Sequence, residues 1–128
     1  MKKIQVIGLP GSGKTTGINL YRDGDNSPSL LDIRDFTGRY REASFIQAIK
    51  KQDGNVIAES ACGVDTPGTY IVKLEIPRSQ LIENLAKRGD KLDQRYLNYL
   101  IGSTLPANYT VTNSQDLVEI LTTIFKRY

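Results

Sequence analysis

Short apolar runs alternate with helical stripes along this chain, and their order already implies an architecture. Residues 3–7 form an apolar run that stops at Gly8. A glycine-rich turn follows, and the pattern predicts a helix over about 14–21. Asp-Gly, Asp-Asn and Ser-Pro pairs mark 22–29 as a loop before a second strand at 29–33. Ala43, Phe45, Ile46 and Ile49 fall at helical spacing and predict a helix over 37–51. Val-Ile-Ala centres a third strand at 55–58. After a loop at 60–68, Tyr70, Ile71, Val72, Leu74 and Ile76 predict a fourth strand over 69–76, stopped by Pro77. Leu81, Ile82, Leu85 and Ala86 share one face of a helix at 78–88, and a further helix is expected at 93–101. A fifth strand at 108–112 precedes the clearest helix, 114–127. Its apolar face is Leu117, Val118, Leu121, Ile124 and Phe125, Asn113 or Ser114 can cap it, and Lys126 and Arg127 suit its last turn.

Strands that alternate with helices pair in parallel through right-handed crossovers. Both faces of such a sheet are covered, which is why the strands read as apolar runs rather than strict alternations. The expectation is one α/β domain over 1–128: three layers, a five-stranded and mainly parallel sheet, helices on both faces.

Composition narrows the chemistry. The chain has no histidine and one cysteine, Cys62, which removes Ser-His and Cys-His catalysis, disulfide frameworks and most zinc sites. One free cysteine fits the reducing cytoplasm, where the loop residue Cys62 reads as a small buried hydrophobe. No apolar run is long enough for a signal peptide or a membrane helix, so no membrane partner is expected. The net charge of +3, from 17 basic and 14 acidic residues, suits phosphate-bearing ligands but does not argue for nucleic acid.

Gly8-Leu9-Pro10-Gly11-Ser12-Gly13-Lys14-Thr15 matches G-x-x-x-x-G-K-[ST] at every fixed position, between a strand and a helix. The glycines let successive backbone N–H groups turn toward a phosphate, and the helix adds its positive end. Lys14 brings a charge to the outer phosphates. Thr15 offers a hydroxyl to Mg²⁺, and Thr16 follows in the same first turn. ATP and Mg²⁺ are the expected ligands, held by Gly8, Pro10, Gly11, Ser12, Gly13, Lys14, Thr15 and Thr16.

Residues 74–89 (Leu-Glu-Ile-Pro-Arg-Ser-Gln-Leu-Ile-Glu-Asn-Leu-Ala-Lys-Arg-Gly) resemble the P-loop kinase superfamily, with its fourth strand, short turn and helix ending in a basic lid. Residues 87–97 (Lys-Arg-Gly-Asp-Lys-Leu-Asp-Gln-Arg-Tyr-Leu) look most like the lid of deoxynucleoside kinases. Residues 108–125 are similar to the last strand, asparagine turn and C-terminal helix of those enzymes. The resemblance spans most of the chain and implies transfer of the γ-phosphoryl of Mg·ATP to a nucleoside or nucleotide acceptor. It implies a lid of Lys87, Arg88, Lys91 and Arg95, in which Arg88 and Arg95 touch the donor phosphates and Arg88 acts catalytically with Lys14. Such a lid excludes the water that would compete with the acceptor.

An acid past the second strand would face the ligand crevice. Asp35 in Asp32-Ile33-Arg34-Asp35-Phe36 is the candidate base or orienter for the acceptor hydroxyl, with Phe36 beside it in a pair similar to the uridine-kinase pattern. Asp32 is its rival, and a plain helix N-cap is the other reading of Asp35. Glu59 resembles the glutamate of the Glu-Arg-Ser in deoxynucleoside kinases, with the arginine missing, and would hold a water on Mg²⁺ or contact the substrate. Arg39 and Arg41 lie where nucleoside monophosphate kinases bind the acceptor phosphate, although both also suit an exposed helix face.

Three other readings stand beside this one. A kinase acting on a DNA base or end fits the size and charge, and Tyr96 and Tyr99 beside Arg95 are its only aromatic signal. A non-catalytic nucleotide-binding module fits the short acceptor region. A GTPase would use Asp65-Thr66-Pro67-Gly68 as its Asp-x-x-Gly switch and Asn113-Ser114-Gln115-Asp116 as a base reader lacking its lysine.

Overall fold

The computed structural model describes residues 2–89 and 94–127. Five strands, β1 (Lys3–Ile7), β2 (Ser29–Asp32), β3 (Val56–Ser60), β4 (Tyr70–Leu74) and β5 (Tyr109–Val111), form one sheet in the order β2-β3-β1-β4-β5. Every pairing is parallel. The helices are α1 (Lys14–Gly24), α2 (Arg41–Lys51), α3 (Arg78–Lys87), α4 (Gln94–Ser103) and α5 (Ser114–Arg127). The strand order reverses beside β1, and in open parallel sheets the ligand crevice lies at that point, outside the carboxyl ends of the strands.

One face of the sheet carries α1 and α5. Ile4, Val6, Ile57, Val72 and Leu74 from the strands pack there against Ile18 and Tyr21 of α1 and Leu117, Leu121 and Ile124 of α5. The two helices approach closely because residue 17 is glycine: a Cβ there would lie 2.7 Å from Cδ2 of Leu117. Asn113 caps α5 by accepting the N–H of Asp116 at 2.8 Å, and its own amide donates to the Asp116 carboxylate.

The opposite face is covered by a helix and by the loop expected after the third strand. Phe45 and Ile49 of α2 pack on Ala58 and Val64. Over β1, however, the covering comes from the loop 61–69, which joins β3 to β4 without a helix, although parallel crossovers usually need a dozen or more residues and a helix. A buried side chain compensates. Gln5 of β1 donates to the Val64 carbonyl at 2.8 Å and to Thr69 Oγ1 at 3.0 Å, and accepts the Val64 N–H at 2.9 Å. A third cluster, Leu81 and Leu85 of α3 with Leu97 of α4, packs with Leu9 and Ile76 at the carboxyl edge.

Several boundaries move, each for a local reason. The second strand ends at Asp32 because the Asp32 side chain takes the Arg34 N–H at 2.9 Å and turns Ile33–Asp35 into a 3-10 helix. The helix expected from 37 begins at Arg41, because Gly38 before it sits at φ 92, outside any helix. The third strand continues to Ser60, paired with Ile7, so Glu59 lies inside the strand. The fourth strand is trimmed to Tyr70–Leu74, and α4 runs on to Ser103.

Candidate active site

The loop from Gly8 to Gly13 closes over the carboxyl end of β1 and is gripped by neighbours on two sides. Gly11 and Gly13 take φ of 85 and 93, values that side-chain-bearing residues rarely adopt. The Ser114 hydroxyl donates to the Gly13 carbonyl at 3.1 Å, and Asn84 Nδ2 donates to the Gly11 carbonyl at 2.9 Å. The loop thus ends with its free N–H groups at the start of α1, the positive end of that helix.

A cleft of about 660 Å³ opens in front of this loop. Its floor is set by strand register. Asp32 of β2 pairs with Glu59 of β3, and Glu59 pairs with Val6 of β1, so both carboxylates lie at the crevice edge facing the start of α1. Thr15 Oγ1 donates to Glu59 Oε1. Arg34 grips Asp32 through Nε and Nη2, the latter at 2.6 Å, and its Nη2 also lies 4.0 Å from Glu59. The Glu59 side chain is 3% exposed, that of Asp32 17% and that of Arg34 66%, so charge is buried toward the loop and open toward solvent.

The electrostatics suit a polyanion. Burial pushes the Lys14 ammonium below its usual pKa; Glu59 and Asp32 oppose that push, while Arg34 and Arg88 add to it. Among the described residues no carboxylate comes within ion-pair distance of Lys14, so its charge lacks a close counter-ion. Burial raises the Asp32 pKa, yet the hydrogen bonds and charge of Arg34 outweigh it and hold the carboxyl below its ordinary value. Among the described residues the buried Ser12 hydroxyl has no hydrogen-bond partner.

These features fit Mg·ATP. The left-handed glycines shape an N–H cradle, Lys14 lacks a counter-ion, and Thr15, Glu59 and Asp32 supply oxygen ligands of the kind Mg²⁺ takes jointly with phosphates. Among the described residues no group of three or more His, Cys, Asp or Glu side chains would cage a metal unaided, which also suits a cation held partly by nucleotide.

No family model and no curated protein matches the sequence. Solved structures do match, almost end to end. Shikimate kinase from Acinetobacter baumannii, in complex with shikimate, aligns over 98% of this chain and 93% of its own, with TM-score 0.70 and 17% identity. Shikimate kinase from Aquifex aeolicus aligns over 98% and 97%, with TM-score 0.64 and 18% identity. A gluconokinase from Sinorhizobium meliloti aligns over 94% and 87%, with TM-score 0.70 and 15% identity. This chain has the P-loop kinase fold.

Within the P-loop kinase fold, the expected residues separate into two groups. Pro10, Gly11, Ser12, Gly13, Lys14, Thr15, Thr16, Arg41, Glu59 and Arg88 line the cleft, with Gly8 just behind at the root of the loop. Lys87 lines it as well, whereas Arg95, at the head of α4, is exposed and outside the lining. Lys91 lies outside the described residues.

The acceptor side differs most from expectation. Asp35 ends the 3-10 turn, exposed and outside the cleft lining; it caps no helix, since Tyr40 occupies the N-cap of α2. Asp32 takes the position in the cleft. Phe36 turns inward to pack edge-on against Phe45, with ring centroids 5.4 Å apart. Arg39 lies outside the lining, its guanidinium 5.8 Å from the Tyr40 ring centroid.

Sequence reasoning missed the cleft-lining positions of Arg34 and Asn84 and the contact of Ser114 with the loop; Tyr96, singled out beside Arg95, also lines the cleft. The signal for Arg34 was present, because an arginine two residues beyond a strand-end aspartate can fold back onto it. Asp65 is exposed and outside the cleft in the loop pinned by Gln5, and Asn113 serves as a helix cap. No helix of the described residues is long and apolar enough to cross a membrane.

Proposed function

We propose that this chain is an ATP-dependent phosphotransferase that moves the γ-phosphoryl of Mg·ATP to a hydroxyl of a small acceptor bearing an anionic group. The observation that carries this reading is the register pair Asp32–Glu59, set beside Lys14 and Thr15 in one cleft. A nucleotide-binding module needs only the phosphate loop. A kinase also needs an acceptor-side carboxylate, and Asp32 provides one.

Phosphoryl transfer is catalysed chiefly by positioning and by charges fixed where negative charge develops. Lys14 and Arg88, which both line the cleft, carry those charges. Glu59 fixes the Thr15 hydroxyl, and bound Mg²⁺ would neutralise phosphate charge beside these two side chains. Asp32 is held ionised by Arg34, so it orients the acceptor hydroxyl and takes its proton late.

Arg41 at the acceptor end suits a carboxylate or phosphate, which guanidinium recognises in bidentate fashion, whereas the Arg34 fork is already taken by Asp32. Among the described residues no aromatic side chain lines that end, since Phe36 is committed to the core. This favours a hydroxy acid or sugar acid over a bare nucleoside. Tyr96, across the cleft, supports a second reading in which a nucleoside or nucleoside monophosphate is the acceptor.

The test is ADP release from Mg·ATP in the presence of hydroxy acids, sugar acids, nucleosides and nucleoside monophosphates. Stimulation by an anionic small molecule supports the reading. Stimulation by neutral nucleosides alone would reverse the acceptor assignment.

A further inference from the structure

We propose that Asn84 is a positioning residue of the phosphate site, acting from α3 to lock the Gly11–Ser12 peptide so that the N–H groups that follow it, at the start of α1, stay turned toward an anion. The inference rests on the phosphate-loop part of the function proposed above, not on the acceptor.

The peptide is held at both ends. Asn84 Nδ2 donates to the Gly11 carbonyl at 2.9 Å, and the Ser12 N–H donates to the Leu9 carbonyl at 3.0 Å. Asn84 is itself fixed, because Gln80 Nε2 donates to its Oδ1 at 2.9 Å one turn earlier on the same helix. Leu85, the next residue, lies in the cluster with Leu9, and its Cγ comes within 3.2 Å of where a Gly11 Cβ would stand. Leu85 therefore presses on Gly11 while Asn84 takes its oxygen.

Such a lock has a physical purpose. Glycine takes positive and negative φ about equally readily, so the Gly11 residue that permits this turn also permits a peptide flip. A flip would break the Ser12–Leu9 hydrogen bond, set the Gly11 carbonyl against that of Leu9, and displace the turn whose later N–H groups must receive phosphate. The Asn84 hydrogen bond opposes the flip by giving the Gly11 oxygen a partner on α3. The same helix ends in Lys87 and places Arg88 at its C-cap, so docking Asn84 on the loop also sets the base from which two cationic side chains reach the cleft.

The test compares wild type with Asn84→Ala in the full chain, using ADP and inorganic tripolyphosphate as probes. Affinity for both is expected to fall about five- to tenfold, the size of one lost hydrogen bond. The fall should be equal for the two probes, because the defect lies at the phosphates. In the ligand-free variant the amide signals of Gly11 and Ser12 should broaden or double, while the melting temperature stays within about 4 °C of wild type. Unchanged affinity would overturn the proposal. Lost affinity with unaltered ligand-free Gly11 and Ser12 signals would also overturn it, by making Asn84 a direct ligand. A large fall in melting temperature with no selective change at these amides would make its role merely structural. Failure of the wild type to bind either probe would sink the phosphate-site reading, and this proposal with it.

Discussion

Asp32 and Glu59 stand opposite one another in the β2–β3 ladder, and Arg34 bridges them, 2.6 Å from the first and 4.0 Å from the second. The two carboxylates have separate partners. Glu59 receives the Thr15 hydroxyl at the root of α1, whereas Asp32 is held by a guanidinium that is mostly open to solvent. In the proposed function, Glu59 serves the nucleotide side of the cleft and Asp32 the acceptor side.

The division of labour between the two aspartates makes the first prediction. Asp32→Asn should cut transfer at least about a hundredfold, by removing the orienting carboxylate. Asp35→Asn should stay within about threefold of wild type, because Asp35 is exposed and outside the cleft. Steady-state kinetics on the two variants check this, and the reverse pattern would return the role to Asp35.

Glu59→Gln keeps the shape of the side chain and removes its charge. The Mg²⁺ concentration giving half-maximal activity should rise roughly tenfold, as for other losses of a metal-orienting group. A magnesium titration at saturating ATP reads this directly; an unchanged midpoint would free Glu59 from the metal.

Arg88→Ala should lower kcat by about a hundredfold while the ATP dissociation constant changes less than about fivefold, because its charge is needed where negative charge spreads in the transition state. Turnover and equilibrium binding, measured on the same preparation, separate the two. Equal losses in both would make Arg88 a phosphate clamp.

The loop 61–69 is strapped to β1 by the hydrogen bonds of Gln5. Gln5→Leu would leave the buried Val64 N–H without its partner and the Val64 carbonyl with the Thr66 hydroxyl, and should cost about 1–3 kcal/mol of stability. Asp65→Ala should leave both stability and turnover near wild type, since Asp65 is exposed and outside the cleft. Denaturant unfolding and kinetics check the pair, and a strong loss of turnover in Asp65→Ala would revive a switch role.

Much of the fold was legible in the sequence because the phosphate loop fixes a strand before it and a helix after it, and because Leu117, Leu121 and Ile124 keep a strict helical period. What was not legible depended on through-space partners. Nothing local tells that Asp32 will capture the N–H of Arg34, end the strand and turn Asp35 away. Phe36 looked like a site residue beside an aspartate, and only the position of Phe45 explains its turn into the core. The loop after the third strand was legible, but not what lets it cover the sheet: a buried polar residue such as Gln5 must meet its backbone, and that residue lies far away in sequence. Nothing local marks Asn84, a polar position on an amphipathic helix, as a partner of the loop; only the fold brings Gly11 beside it.

The most direct test of the central claim is transfer of labelled γ-phosphate from Mg·ATP to a panel of hydroxy acids, sugar acids, nucleosides, nucleoside monophosphates and DNA oligomers, with Lys14→Ala as the control. The account predicts label on a small anionic acceptor, and a loss of at least about a hundredfold in Lys14→Ala, which should remain folded. Label on DNA alone, nucleotide binding with no labelled product, or undiminished transfer by Lys14→Ala would contradict it.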